Sequence, residues 1–554
     1  MQTRIIRLLF LLVFSAAVFT SCKKTNKPGK QIPSSASFVL MINGEAVNSK
    51  LSWDDIKQNQ LFKDMASDTS VSQYVKEAME NPDNTGIDVK DDILFYVQQD
   101  SVGGYAVLQG KIKDAAKFQA FFANVTKATV VAGKKSENSL SNDKMIATWD
   151  KDRYALVFDF PEMGYANIKN IPFPDMSDTV DIAPIAPPIT KKRDMAFAGN
   201  AAFFVDENNS LANDEKFTEL LSENGDVHFW MNSERLTGNV GMGALDMLSI
   251  GKLYKGVYFT GTATFLDGKI ELNTKSYAGK ELTDLFKKYK SKNIDESFLK
   301  RLPSKDVAMV AAMNYPPEGL LALVKLAGME GFANMGASSL GFTLDDFVKA
   351  NKGDLLVSVS GLKSDTAKST ADIFFSTSIN DKAAFNKLME AGKKMMAARA
   401  GDTMSKALFQ NSNGNYFAMG TNKADVDAFF KNENNNNAAA LPGGFTGNPI
   451  AVYVNFQNIF RSMTPRSSDS LKVELHRASL QMWDNMLMKG GEFKGGGILQ
   501  KIEVNLLDKK LNSLKQLNNY FGVLGAIDKK NKRMNPWSDS TRVSSDTTFA
   551  TQSN

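Results

Sequence analysis

The sequence predicts an α+β protein made of two tandem related halves, each with a mainly antiparallel sheet and packed helices. Three observations carry that expectation: a recurring apolar run that ends in Asn, a set of matched segments that repeats in the same order, and strand pairs with hairpin turns set among helices. At 554 residues the chain exceeds the ~250–300 at which a single core stops growing, so more than one core is expected. Hydrophobic residues at 43% and charged residues at 23% are ordinary for globular proteins, which excludes a wholly disordered, collagenous or multi-spanning chain. A net charge of +5 over this length gives no electrostatic argument for nucleic acid.

The apolar runs are FVLMIN (to Asn43), VHFWMN (to Asn232), VAMVAAMN (to Asn314) and AVYVN (to Asn455). Each reads as a strand with at least one buried face, and the Asn suits the turn or N-cap that opens the next element. Between these runs the matches keep their order. Lys90-Asp91-Asp92-Ile93-Leu94 corresponds to Lys352-Gly353-Asp354-Leu355-Leu356. YAVLQGKIKDAAKFQAFF (105–122) corresponds to DIFFSTSINDKAAFNKLM (372–389), a strand followed by a helix opened by Asp114 or Asp381. YALVFD (154–159) corresponds to YFAMGT (416–421), and Lys269-Ile270-Glu271-Leu272-Asn273 to Lys501-Ile502-Glu503-Val504-Asn505, each of the last pair leading into an amphipathic helix. The halves are therefore expected over 32–295 and 302–526. Their length excludes a solenoid repeat. Within them, 256–275 with Asp267-Gly268 at its turn reads as an antiparallel hairpin.

The first residues predict an exported, lipid-anchored chain. Arg4 and Arg7 precede an apolar run, Leu8 to Phe19, too short for the ~20 residues that a spanning helix needs and suited to a signal peptide over 1–21. Small residues then lead into Cys22, the sole cysteine, as at the lipidated cysteine of bacterial lipoproteins. Cys22 is thus the expected acylation site, and each buried CH2 of its acyl chains would contribute ~0.8 kcal/mol of anchoring. Residues 22–31 form a basic tether containing Lys23, Lys24, Lys27 and Lys30, without an acid. Lys23 is not the Asp that retains lipoproteins in the inner membrane, and no acidic surface-export cluster follows. The expected location is the outer membrane, facing the periplasm, with the membrane as partner through the anchor. Residues 171–191, with Pro172, Pro174, Pro184, Pro187 and Pro188, read as an extended excursion from the first half. Asn434 to Asn437 read as a polar insert, and 527–554, opening with KKNKR, as a disordered tail.

IPSSASFVLMIN, TGIDVKDDILFYV (85–97) and GDVHFWMN (225–232) resemble an uncharacterised family of Bacteroidota lipoproteins, domain of unknown function 4836. The resemblance covers most of the mature chain. It implies an envelope lipoprotein and supplies no catalytic residues.

The chemistry-bearing residues are sparse. Two His and one Cys leave little for zinc or iron–sulfur centres, and no phosphate loop or nucleophile elbow occurs. Gly241-Met242-Gly243 is followed by Asp246 where a dinucleotide fingerprint needs Gly. His228 lies inside a strand and is expected to be a packed or edge-strand residue; His476 lies on a helix beside charges and is expected to face solvent. The acidic pairs Asp54-Asp55, Asp91-Asp92 and Asp345-Asp346 sit at element starts, where caps and turns account for them. Met clusters with Gly in 240–248 and 328–336, and Met482, Met486 and Met488 surround Trp483; Met suits both gap-filling cores and adaptable apolar surfaces. The expectation is a protein without enzymatic activity, metal or cofactor, which binds or scaffolds another envelope component, or else carries or senses apolar acyl-type ligands through its Met/Gly segments.

Overall fold

A computed structural model describes residues 28–160, 192–237, 253–364, 369–405, 408–431, 436–463 and 470–534, apart from 101, 136 and 254. Cys22, the 171–191 excursion and the 240–248 Met/Gly segment lie outside the described residues. The class is α+β, with a single large open antiparallel sheet and helices on both of its faces.

In chain order the elements are β1 (Phe38–Ile42), α1 (Gly44–Lys50), α2 (Trp53–Gln58), α3 (Gln60–Ser67), α4 (Gln73–Glu80), β2 (Ile93–Asp100), β3 (Gly103–Lys111), α5 (Ala115–Thr126), β4 (Val131–Ala132), β5 (Asn138–Ser141), β6 (Met145–Trp149) and β7 (Arg153–Phe160). There follow α6 (Met195–Phe203), α7 (Glu215–Ser222), β8 (Val227–Asn232), α8 (Ser233–Thr237), β9 (Tyr258–Leu266), β10 (Lys269–Tyr277) and α9 (Lys280–Lys288). The remainder comprises α10 (Glu296–Leu299), β11 (Val307–Asn314), α11 (Pro317–Leu326), α12 (Glu330–Leu340), α13 (Leu344–Ala350), β12 (Asn351–Ser364), β13 (Ser369–Ile379), α14 (Lys382–Ser405), β14 (Phe409–Ser412), β15 (Tyr416–Gly420), α15 (Lys423–Lys431), β16 (Ile450–Asn455), α16 (Phe456–Ser462), α17 (Ser470–Met482), β17 (Trp483–Lys494), β18 (Gly497–Leu506) and α18 (Ser513–Met534).

The ladders join end to end. From the β10–β18 ladder one arm runs outward through β9, β8, β1, β2, β3, β7, β6, β5 and β4. The other runs through β17, β16, β11, β12, β13, β15 and β14. Read from the centre, the arms place sequence-matched strands at the same rank. Asn43 N–H donates to the Asp226 carbonyl at 2.8 Å, and Asn314 N–H to the Pro449 carbonyl at 2.7 Å, at equivalent points. The registers offset one sequence match by a residue. Tyr154 stacks on Phe118 at 5.3 Å between centroids, and its counterpart against Phe385 is Phe417 at 5.5 Å, not Tyr416.

Local chemistry explains the element starts. Asn43 accepts from Ala46 N–H and Asn455 from Asn458 N–H, each capping a helix. Asn232 accepts from Arg235 N–H at 3.1 Å. Asn314 departs from this pattern: its amide donates to Asp354 at 2.7 Å and accepts from Lys292 N–H, because Pro317 opens α11 and has no N–H to cap. Asp55 closes a capping box with Ser52 on α2, and Asp346 closes one with Thr343 on α13.

Two cores flank the first arm. One packs Phe118, Trp149, Tyr154, Trp53 and Phe62 under α1 to α5; the other packs Tyr96, Trp230, Phe203 and Phe217 under α6 and α7. The second arm has one extensive core, around Phe298, Phe374 and Phe429, and a smaller one around Phe385 and Phe417. Each large side chain so buried contributes ~1.5–3 kcal/mol.

The helix after each central strand crosses to the other arm. Helix α9, which follows β10, packs on α11; Phe286 lies 6.3 Å from Phe493 of β17. Helix α18, which follows β18, packs on α2 and α3 of the first arm. Asn59 donates to the Asn518 carbonyl at 2.6 Å, Asn518 donates to the Asp55 carbonyl at 3.0 Å, and Lys515 pairs with Asp55 at 3.1 Å. Lys529 pairs with Asp64, and Lys530 with Glu474. These contacts carry α18 to Met534, eight residues into the span expected as a tail. Lys529 and Lys530 of KKNKR are ion-paired along this helix, which runs past the expected 526/527 boundary.

Candidate functional site

Side chains alternate faces along a strand, so the ladder registers say which residues stand in one line across the sheet. One such line begins at Ile93 and Ile42, both buried, and passes to Val227, Ala263 and Leu272. It crosses the centre to Ile502, Met488 and Val452, and continues through Ala311, Val357 and Phe375 to Met419. Every member is apolar. From Val227 onward, ten successive strands contribute a partly buried side chain; Val227 at one end packs against the core under α1 to α5, and Phe375 and Met419 at the other against the core around Phe385. At ~4.8 Å between strands, this line is about 43 Å long.

A second line, two residues away on the same face, runs Phe265, Ile270, Val504, Met486, Val454, Met309, Val359 and Ile373. All eight are apolar and partly exposed, Ile373 most, at 51%. Neither line holds a charged side chain. Local backbone features shape the strip. Gly261 admits the Phe229 ring, which an added Cβ would meet at 2.4 Å. A register break between Gly490 and Glu492 bends β17 beside the strip, with Gly491 in the left-handed region at φ 92°.

The reverse face differs between the arms and the centre. In the arms it carries buried residues such as Trp230 and Phe374. At the centre it is polar. Glu271 stands opposite Glu503; Lys501 bridges them at 3.2 and 2.9 Å, and Lys269 also pairs with Glu271. Burial works against both charges, yet Lys269 and Lys501 hold the Glu271 carboxyl below its ordinary value, and Glu503 and Glu271 hold the Lys501 ammonium above its own. The middle of the sheet is thus amphipathic, with an apolar face flanked at both ends by helices.

The residues singled out by sequence do not converge. His228 is buried in β8, on the face away from the strip. Its Nε2–H donates to the Glu223 carbonyl at 2.9 Å, while Nδ1 is enclosed without a hydrogen-bond partner. His476 is half-buried rather than solvent-facing; its Nε2 lies 2.6 Å from the Phe460 carbonyl, because α16 packs on α17. The two His lie in different arms. Asp91 takes the Asp92 N–H and pairs with Lys111. Burial, then the Asp91 charge, pushes the Asp92 carboxyl up, against the pull of His228, Lys111 and the Gly44 N–H. Asp354, its counterpart by strand position, accepts from Asn314 and from the Ser378 hydroxyl, each at 2.7 Å. Among the described residues no group of three or more His, Cys, Asp or Glu could hold a metal ion, and no helix is long and apolar enough to cross a membrane.

Of the Met residues around Trp483, Met486 and Met488 lie on the strip, with Met309 and Met419, and Met482 is buried. Sequence reasoning found those around Trp483 but missed the strip, because its members are far apart in the chain and meet only through strand order.

No family model matches the chain, and no curated relative matches it. Among solved structures it is similar to crystal form III of TP0453 (8% identity, TM-score 0.25, covering 49% of this chain and 90% of that one) and to crystal form I (9%, TM-score 0.25, covering 47% and 81%). Likeness at that level carries no argument about fold or role.

Proposed function

We propose that this chain is a lipid-anchored envelope protein, of the Bacteroidota lipoprotein family that it resembles, and that it binds apolar, acyl-type ligands on the open face of its sheet without catalysing a reaction. The single observation that supports this is the pair of apolar lines across the sheet. Burying hydrocarbon against such a surface gains ~25 cal/mol per Å2 of apolar area removed from water. Two lines without charge suit an unbranched chain, and flexible Met486 and Met488 adapt to ligands of different shape. The matched strand order of the arms is what a tandem duplication leaves, so the strip would have formed when two copies joined through β10 and β18. Anchorage through Cys22 would hold it at the outer membrane.

The test is titration of the purified full chain with a fluorescent polyene fatty acid. Saturable binding is expected. Ile502→Lys, which sets a charge mid-strip, should weaken it at least tenfold, while Lys501→Met, on the reverse face, should leave it unchanged. Absence of saturable binding, or equal affinity for Ile502→Lys, defeats the reading.

A further inference from the structure

Helix α12 carries a second apolar feature, separate from the strip. Its first residue, Glu330, is its sole charge; the ten residues Gly331 to Leu340 have none. Ala337 faces inward and is buried, whereas Phe332 is 60% exposed and Met335 67%. Met329, which precedes the helix, is 40% exposed, and Leu320 of the adjoining α11 41%. On the outer side, a Cβ added at Gly331 or Gly336 would meet nothing within 4 Å. A large aromatic and a long thioether therefore stand in open space on a helix with one packed side.

We infer that α12 seats in a lipid surface, with Phe332 and Met335 inserted at the boundary between head groups and acyl chains. Three arguments select lipid over a protein partner. The patch comprises four side chains, against the ~20–30 residues per side of a stable protein interface. A bilayer needs no shape complement, and apolar side chains exposed on one side of a helix are buried when that side enters its interface. Cations rim the patch: Lys325 pairs with Glu330 at 3.2 Å, and Lys394 of α14 lies beside Gly341, where an added Cβ would be 3.4 Å from its Nζ. Glu330 offsets the Lys325 charge, which leaves Lys394 to complement anionic head groups, contributing ~1 kcal/mol near the surface. The lipid anchor expected at Cys22 brings a membrane within reach; the seating itself depends on α12.

The experiment uses the full chain with Cys22→Ser, so that one introduced thiol is unique whether or not the anchor reading holds. Met335→Cys carries an environment-sensitive nitrobenzoxadiazole dye, and Asn208→Cys, exposed in the first arm, is the control. Vesicles of phosphatidylethanolamine and phosphatidylglycerol are added, with no fatty-acid ligand present, so failure here leaves the strip titration unaffected. Emission at 335 should rise several-fold, shift to the blue and be quenched by chain-brominated lipid, while emission at 208 stays water-like. Adding Phe332→Ser should cut the response at 335 several-fold. Water-like emission at 335, equal changes at both positions, or a change that follows protein concentration without vesicles overturns the proposal; the last would show that a second copy covers the helix.

Discussion

Glu271 and Glu503 face each other across the β10–β18 ladder, and each occupies the place in its arm that the other occupies in its own. The pair marks the point about which the arms correspond. Two carboxylates directly opposite on a sheet repel, and Lys501 offsets that repulsion by touching both.

Lys501→Met should therefore destabilise the chain by about 0.5–1 kcal/mol near neutral pH, and adding Glu503→Gln should restore part of the loss. The signs with pH are defined. Glu271, held below its ordinary 4.5, contributes stability that is present above pH 4.5 and lost as pH falls through its folded value. Lys501, held above 10.5, contributes stability that is present below pH 10.5 and lost as pH rises through its folded value. Urea midpoints across that window should form a plateau in the natural chain, and Lys501→Met should remove the alkaline-side loss that this ammonium supplies.

Asp92 and Asp354 share a strand position and should respond in opposite ways. Asp354→Ala leaves the buried Asn314 amide and Ser378 hydroxyl without their acceptor, a loss of ~1–3 kcal/mol. The folded carboxyl of Asp92 is raised above 3.8, so its charge opposes folding at neutral pH and native stability gains as pH falls through the folded value. Asp92→Asn should keep or raise the thermal midpoint at neutral pH and flatten that gain on acidification. A midpoint several degrees lower would show that the charge itself is needed.

The crossing of α18 onto the first arm can be tested at Gly525. A Cβ there would lie 2.4 Å from Leu61 Cγ. Overpacking costs ~1–3 kcal/mol, which exceeds the ~1 kcal/mol that replacing a helical glycine can return. Gly525→Val should lower stability, and Leu61→Ala should recover part of that loss in a double-mutant cycle. Strict additivity would mean that the helix does not rest on α3.

Cys22→Ala should abolish incorporation of a palmitate analogue during growth. Unchanged labelling would reject the anchor.

Much of the frame was legible in the sequence because it depends on local chemistry. Apolar runs ending in Asn marked strand ends, and Asp55 and Asp346 were readable as cap residues from their neighbours. Three things were not legible. The shared Tyr of 154 and 416 drew the alignment one residue off, since the contact that decides it, with Phe118 or Phe385, is tertiary. The end of α18 was hidden because KKNKR has the composition of a tail, and the acids that bind it, Asp64 and Glu474, lie elsewhere in the chain. The strip was hidden most fully. Leu272 and Ile502 were each read as strand residues, but their adjacency is a property of the β10–β18 ladder, which no periodicity encodes.

The crossing of α18 also sets an order of events in time. Asn59 and its partner Asn518 are separated by 459 residues. At ~5–20 residues per second, roughly 25–90 s pass between the making of α3 and the making of its cover. Throughout that interval the ribosome presents a nascent first arm with Leu61 and its neighbours bare, and the β10 edge without β18. Such a chain cannot complete its first arm co-translationally. Shortening the C-terminus by this helix would leave Leu61 and its neighbours in that state permanently.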